Sequence, residues 1–369
     1  MAPTRFLLQD PTEVMPAEMG LFIDVGSGHD PARIRSESEA LRETLARFGE
    51  VLTVRRVLEA APYAELLELA RRAIGAPTPA RLKSAQDVLH GWPAADLAEI
   101  VVRQPGLELH EDPEIAAISP DTAYESYVLR PLYGLMFPRD HYVDLGGGVA
   151  LARLRRRDRV RETTVLERVL RVARGCPAEH VPAEGLFLEG GDATATGELA
   201  VVGCGFRTSP EAAAGLVPLL AKDGRPVLVL RDGVRAPGEF HLDHWFSLGP
   251  GLALIARDRL DDPRMTAVVH SGSGGPSPAL SVREGLARTG TVALPLTPAE
   301  VGAFAANVFF VPGTRSVIVS EAAREAVSRL LDPHGFEICP VPFDGHHLQF
   351  GSVHCAVNTL TAPQQEDLT

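Results

Sequence analysis

Four short clusters concentrate the side chains able to do covalent and acid–base chemistry: Phe137-Pro-Arg-Asp140, Glu189-Gly-Gly-Asp192, His241-Leu-Asp243 and Gly351-Ser-Val-His-Cys355. Each has an ordinary explanation when taken alone. A lone cysteine is usually a small buried hydrophobe, Glu-Gly-Gly-Asp is usually a tight turn, and Arg139 with Asp140 reads as a surface ion pair worth under about 1 kcal/mol. Together the clusters offer a nucleophile, a base and several carboxylates, which is the inventory for cysteine attack on a cationic carbon. A guanidinium is planar, delocalised and permanently charged, so a site that binds it needs carboxylates placed for paired hydrogen bonds. Asp140 and Asp243 are the candidates for that clamp. A cysteine protease would use the cysteine and the histidine but leave the acids unexplained.

The elements that must position these clusters read as an α/β alternation. Arg5 to Pro11 begins as a short buried strand stopped by proline, and Ile34, Leu41, Leu45 and Phe48 mark one helical face ending at Gly49. Val51 to Val54 reads as a strand. From Val57 to about Val102 apolar residues fall at helical spacing, among them Leu66, Leu67, Ala70, Leu97 and Val101, so this block is expected to be an all-helical insertion. After Leu129 strands and helices alternate again, with strand candidates at Leu186–Leu188, Leu199–Gly203, Val227–Leu230, Leu252–Ala256, Ser316–Ser320 and Phe336–Val341. Thr208-Ser-Pro-Glu211 announces a helix over Ala212–Leu220 that Gly224 ends. The glycine-rich stretch from Ser271 to Pro278 reads as a surface loop without phosphate-loop spacing. All four clusters fall at strand ends or in adjoining loops.

Composition narrows the partner. The 48 acidic against 36 basic residues give a net charge of -12, which argues against nucleic acid or an anionic membrane and favours a small cationic or neutral substrate. No apolar run approaches the roughly 20 residues of a membrane span, and Met1 to Thr12 lack the pattern of a signal peptide. A soluble cytoplasmic protein is expected, with the oligomeric state open and a homo-oligomer among the options. Cys176, Cys204, Cys339 and Cys355 lie far apart without metal-type spacing, so reduced thiols are expected and neither a metal nor a cofactor.

The ordered motifs resemble those of the arginine deiminase and amidinotransferase superfamily, the guanidino-group modifying enzymes of the pentein fold, and most of all the arginine deiminases. Phe137-Pro-Arg-Asp140 corresponds to the family's Phe-Thr-Arg-Asp motif, with matching spacing to Arg159 and Arg161-Glu-Thr163. Glu189-Gly-Gly-Asp192 followed by Val201 to Thr208, His241-Leu-Asp243, and Phe343 to Cys355 are similar to its remaining motifs. The resemblance implies a five-bladed, pseudo-symmetric α/β propeller formed by residues 1–56 and 128–369, with a helical insertion at 57–127. It further implies Cys355 as nucleophile, His241 as acid and then base, Glu189 holding His241, Asp140 and Asp243 gripping the guanidinium, and Arg159 and Arg207 binding the substrate carboxylate. The expected reaction converts arginine, or a close derivative, to citrulline and ammonia through a Cys-bound thiouronium. Transfer of the amidino group to an amine and reaction on a modified or peptide-borne arginine are alternatives, with a non-catalytic binding propeller behind them. Gly134 departs from the deiminase pattern, which has an asparagine there. Ala305-Ala-Asn-Val308 is similar instead to dimethylarginine hydrolases and amidinotransferases.

Overall fold

The computed structural model describes residues 4–9, 30–110, 124–235, 238–271 and 275–361. Pro11, part of the 57–127 stretch and part of the Ser271–Pro278 loop therefore lie outside the described residues. The strands run in the order β1 (Arg5–Leu8), β2 (Glu50–Thr53), β3 (Pro105–His110), β4 (Tyr124–Leu129), β5 (Tyr142–Asp144), β6 (Val149–Leu151), β7 (Ala193–Ala195), β8 (Ala200–Cys204) and β9 (Val227–Arg231). They continue with β10 (Phe246–Gly249), β11 (Leu252–Ala256), β12 (Thr266–His270), β13 (Val292–Leu296), β14 (Phe309–Phe310), β15 (Ser316–Ser320), β16 (Glu337–Val341) and β17 (Asn358–Thr359).

One plan recurs in these α/β sheets. A very short strand pairs antiparallel with a buried strand, which in turn pairs parallel with a later one: β10-β11-β13, β14-β15-β16, β17-β1-β2, and β7-β8-β9 extended by β12. The pair β5-β6 follows the same plan, with an isolated parallel bridge from Ala150 to His180 in place of the third strand. Parallel pairing requires a crossover, and the helices Pro31–Ala46, Val160–Arg174, Pro210–Leu220, Val282–Arg288 and Arg324–Leu331 supply it. Helix-covered strands need apolar residues on both faces, and β8 (Ala-Val-Val-Gly-Cys) and β15 (Ser-Val-Ile-Val-Ser) are buried along their whole length.

Helix ends follow local chemistry. Asp30 caps Pro31–Ala46 through Oδ1, which accepts from the amides of Ala32 and Arg33 at 2.9 and 3.2 Å. Ser281 and Glu284 form a reciprocal capping box. Three sequence expectations change. Val54 opens a helix, Val54–Glu59, because the Thr53 hydroxyl accepts from Arg56 N and caps it. Leu188 makes only an isolated bridge to Arg153, so Leu186–Leu188 is not a strand. Residues 57–127 are not all-helical, since β3 and β4 form an antiparallel pair beyond the helices Tyr63–Ala73, Pro79–Asp87 and Ala94–Arg103. The helical periodicity stops at Val102, and Pro105 cannot continue a helix interior. The helices Tyr63–Ala73 and Ala94–Arg103 share one apolar cluster with Leu132, Leu135, Val165, Val169 and Leu170, so they pack directly on the α/β part.

Candidate active site

Every short inner strand is preceded by a turn that delivers polar side chains. Asp140 lies in the 3-10 turn Pro138–His141 ahead of β5, Glu189 and Asp192 flank Gly190–Asp192 ahead of β7, and His241 and Asp243 lie at Leu242–His244 ahead of β10. Asn307 precedes β14, and Cys355 sits in the helical turn Val353–Ala356 ahead of β17. Each turn is closed by its own backbone bond, for example Asp140 N to Phe137 O at 3.2 Å, Asp192 N to Glu189 O at 3.0 Å, and Asn307 N to Phe304 O at 2.9 Å. Strands too short to carry many residues thus begin with tight turns that point side chains to one place.

One half of the cluster is built around His241, which is 2% exposed. Its Nε2 lies 2.7 Å from Glu189 Oε2, and its Nδ1 lies 3.6 Å from Asp140 Oδ1. Burial alone would lower the imidazole pKa, but the charge of Asp140 and the bond and charge of Glu189 outweigh it and push His241 up to about 10. Burial would likewise raise Glu189, yet the bond to His241 and its charge hold that carboxyl down at about 2. Glu189 Oε1 also accepts from Arg155 N at 2.8 Å. The close approach depends on Gly191, where a Cβ would stand 2.8 Å from His241 Nδ1. Asp192 ties the two turns together, Oδ1 accepting from Leu242 N at 2.8 Å, while burial pushes its carboxyl up to about 7.

The other half is built around Cys355. The Asn307 amide spans it: Oδ1 accepts from His354 N at 3.0 Å and Cys355 N at 3.3 Å, and Nδ2 donates to Asp243 O at 3.0 Å and Cys355 Sγ at 3.1 Å. The thiol donates to Asp243 Oδ2 at 3.4 Å, and His354 Nδ1 meets the same oxygen at 2.9 Å. Burial raises Asp243, but His354, His244 and His241 more than offset it and hold the carboxyl below its usual range. Burial, then Asp243 and Asp140, drive the Cys355 thiol well above its ordinary value against the weaker pull of Ser352 and Asn307. The arrangement is a neutral thiol and an imidazolium facing a pair of carboxylates, with room in the charge balance for one cation.

The structure brings Cys355, His241, Glu189, Asp140 and Asp243 together. Arg159 is drawn in as well, but its guanidinium is fully engaged: Nη1 to Asp140 Oδ2 at 2.9 Å, Nε to Glu162 Oε2 at 2.7 Å and Nη2 to Gly134 O at 3.2 Å. A Cβ at Gly134 would meet Glu162 Oε2 at 2.4 Å and Arg159 Nε at 2.5 Å, so the glycine in place of the deiminase asparagine is what lets Arg159 lie there. Arg207 sits 3.4 Å from both Glu189 oxygens and 4.7 Å above the Phe240 ring. His346 bonds Glu37 and His347 bonds Ser352, so neither joins the cluster, whereas His354 does. Asn307 and His354 escaped sequence reasoning as site residues. The only signal for Asn307 was the Ala-Ala-Asn-Val similarity, and His354 looked like one of several loop histidines.

Two sets of three groups have ligand-type atoms within 4.8 Å of one another, Asp140–Glu189–His241 and His241–Asp243–His244. Both rely on His241, which a proton on each ring nitrogen makes a poor metal ligand. No cofactor-binding motif accompanies them.

Comparison with known proteins gives matches to part of the chain and to its fold. A family profile described as arginine deiminase matches residues 95–260. An arginine deiminase of Mycolicibacterium gilvum (strain PYR-GCK) is 29% identical over 218 residues, a match covering 55% of this chain and 52% of that one. Both matches are partial, and over them the chain is similar to arginine deiminases. It spans about half the length of that curated relative. Among solved structures, the product-bound N-terminal domain of ArgZ, an arginine dihydrolase from the ornithine-ammonia cycle in Cyanobacteria, superposes with a TM-score of 0.58 at 16% identity, covering 98% of each chain. Unliganded AgrE superposes with a TM-score of 0.57 at 18% identity over 100% of this chain and 41% of that chain. These likenesses show that the chain shares the α/β fold of those structures. None of the described helices is long and apolar enough to cross a membrane.

Proposed function

We propose that this chain hydrolyses the guanidinium group of free arginine, or of a close derivative, to the ureido product and ammonia, with Cys355 as nucleophile and His241 as the proton carrier. The observation that carries the reading is the geometry: His241 lies between Asp140 and Glu189, at 3.6 and 2.7 Å, and the Cys355 thiol lies 3.4 Å from Asp243. A guanidinium entering between Asp140 and Asp243 offsets both carboxylates. The thiol then ionises and releases its proton, because the nearby cation favours the thiolate. The thiolate attacks the guanidinium carbon, forming the C–S bond of a tetrahedral adduct. His241 donates its proton from Nδ1, the nitrogen not committed to Glu189, to the departing nitrogen, and the C–N bond breaks to release ammonia. The neutral imidazole takes a proton from water as that oxygen attacks the thiouronium carbon, and collapse of the adduct breaks the C–S bond while the hydroxyl proton passes to the leaving sulfur, which returns the thiol and the imidazolium. Asn307 steadies the sulfur throughout. Arg207 and, once displaced from Asp140 by substrate, Arg159 supply the charge for an amino-acid carboxylate.

The recurring three-strand units support closure into a five-bladed propeller, with 1–56 and 128–369 as the catalytic domain and 57–127 as an insertion packed on it. The chemistry is tested by incubating the chain with arginine and counting products. One ammonia and one citrulline per arginine are expected. Two ammonia with ornithine would replace the reading with a dihydrolase, amidino transfer that requires an added amine would replace it with a transferase, and no product from any guanidino compound would end it.

A further inference from the structure

The proposed reaction leaves one member of the first sequence cluster without a task. Arg139 is 7% exposed. Among the described residues its guanidinium makes a single hydrogen bond, Nε to the His354 carbonyl at 3.4 Å, and lies 5.9 Å from the centroid of the Phe309 ring. Arg159, one turn of chain away, is gripped by Asp140 and Glu162. Arg139 has no carboxylate at ion-pair distance among the described residues. A buried charge without a counter-charge is costly, and buried guanidinium groups are ordinarily paired.

Arg139 lines a cavity of about 390 Å³. Its wall follows the inner strands to their far ends, including residues 194–197, 308–313 and 359–361, and includes Ser247 and His354. Cys355, His241, Glu189, Asp140 and Asp243 do not line it. They lie in the turns before those strands, so the cavity opens on the opposite side of the catalytic loops. Three arginines, Arg5, Arg139 and Arg225, and one carboxylate, Asp144, contribute to the wall. Asp144 is already occupied, Oδ1 by Gly146 N at 3.0 Å and Oδ2 by Thr361 N at 3.0 Å and Thr361 Oγ1 at 2.9 Å. Arginines outnumber carboxylates on the wall, and Arg139 has no carboxylate at ion-pair distance among the described residues.

We infer that this chamber binds a small oxyanion, a carboxylate or a phosphate, on the guanidinium of Arg139. The planar fork of a guanidinium matches two oxygens of such a group better than a single point ligand does. The bound anion would adjoin the nucleophile's turn, because Arg139 Nε holds the carbonyl of His354 and His354 shares Asp243 with Cys355. The site stands apart from the proposed reaction and does not depend on it.

Thermal unfolding of the full chain, titrated at fixed ionic strength with inorganic phosphate and separately with formate against chloride, tests the inference. A saturable rise in Tm with at least one oxyanion is expected, retained in Cys355→Ala and lost in Arg139→Met; phosphate alone or formate alone identifies which oxyanion class fits. No saturable rise, or one that Arg139→Met leaves intact, overturns the site. Should Arg139→Met fail to fold, diffraction from wild-type crystals grown with the same oxyanion decides. Density on the chamber side of the Arg139 guanidinium supports the site, and water alone there, or an anion only at Arg159 or Arg207, refutes it.

Discussion

The two halves of the candidate site use the same carboxylate chemistry to opposite ends. Around His241, Asp140 and Glu189 stabilise a cation and make the imidazole a reluctant donor, with its pKa pushed up to about 10. Around Cys355, Asp243 and Asp140 destabilise an anion and keep the thiol protonated. The difference is the sign of the charged form, cationic for imidazole and anionic for thiolate. A site arranged this way is inert until a cation enters, and then both groups move toward their reactive states at once. Arg159 shows how such a cation is held, since its guanidinium already bridges Asp140 and Glu162.

That contrast can be broken most severely at the sulfur. Cys355→Ala should lower turnover by at least about 10³-fold, while circular dichroism and Tm stay close to wild type, because Sγ makes only two weak side-chain contacts. Measurable turnover in this variant would remove the cysteine from the chemistry. Glu189→Gln removes the charge that keeps His241 protonated, and a loss of about 10² to 10⁴-fold in kcat is expected, the span associated with a positioned proton carrier. The alkaline limb of its pH profile should move to lower pH; an unmoved limb would mean that Glu189 does not set the state of His241. Asn307→Ala acts only on the thiol half. It withdraws a donor from Sγ, leaves the amide of Cys355 without its side-chain acceptor and leaves that of His354 only its 3.4 Å bond to the Asn307 carbonyl, for a stability loss of about 1–3 kcal/mol. The midpoint for alkylation of Cys355 by iodoacetamide should shift to higher pH, and a change in stability without that shift would reduce Asn307 to a loop cross-link.

Gly134→Asn sharpens the comparison from the Arg159 side. The new Cβ collides with Arg159 and Glu162, so overpacking of about 1–3 kcal/mol is expected, with a change in KM for amino-acid guanidines larger than the change in kcat. Equal KM values would show that Arg159 does not reach the substrate.

The smallest effect is the pH dependence of stability. His241 is raised from 6.5 to about 10, so its contribution is complete below pH 6.5 and is lost as pH climbs toward 10. Glu189 is lowered from 4.5 to about 2, so its contribution is complete above pH 4.5 and is lost as pH falls toward 2. Asp192 is raised from 3.8 to about 7, and its contribution fades as pH rises through that range. Urea midpoints should therefore peak in mildly acidic solution and decline above pH 6.5, and His241→Gln should flatten the decline. A midpoint still rising at pH 9 would contradict the charged pairing of His241 and Glu189.

Much of this was legible in the chain. Two crossover helices, Pro31–Ala46 and Pro210–Leu220, announced themselves by apolar spacing or caps, and the strands β8, β9, β11 and β15 by runs rich in aliphatic residues, because those patterns are local. Inner strands such as β5, β7, β14 and β17, of two or three residues, carry no periodicity long enough to read. β3 and β4 also went unread, since their pairing is with each other across intervening chain. The residue types at Cys355, His241, Glu189, Asp140 and Asp243 fixed a kind of chemistry by composition alone.

What sequence could not decide was which neighbours each group would meet. Asn307 stands 48 residues from Cys355 and Asp243 stands 112 residues from it, and such contacts follow from how sheets assemble. Spacing also made Arg139 and Arg159 look alike as basic residues beside acids. Only the tertiary structure separated them, placing one between two carboxylates and the other, without a counter-charge, against an open chamber. Side-chain chemistry is written residue by residue, whereas pKa, pairing and access are properties of the surroundings that folding brings together.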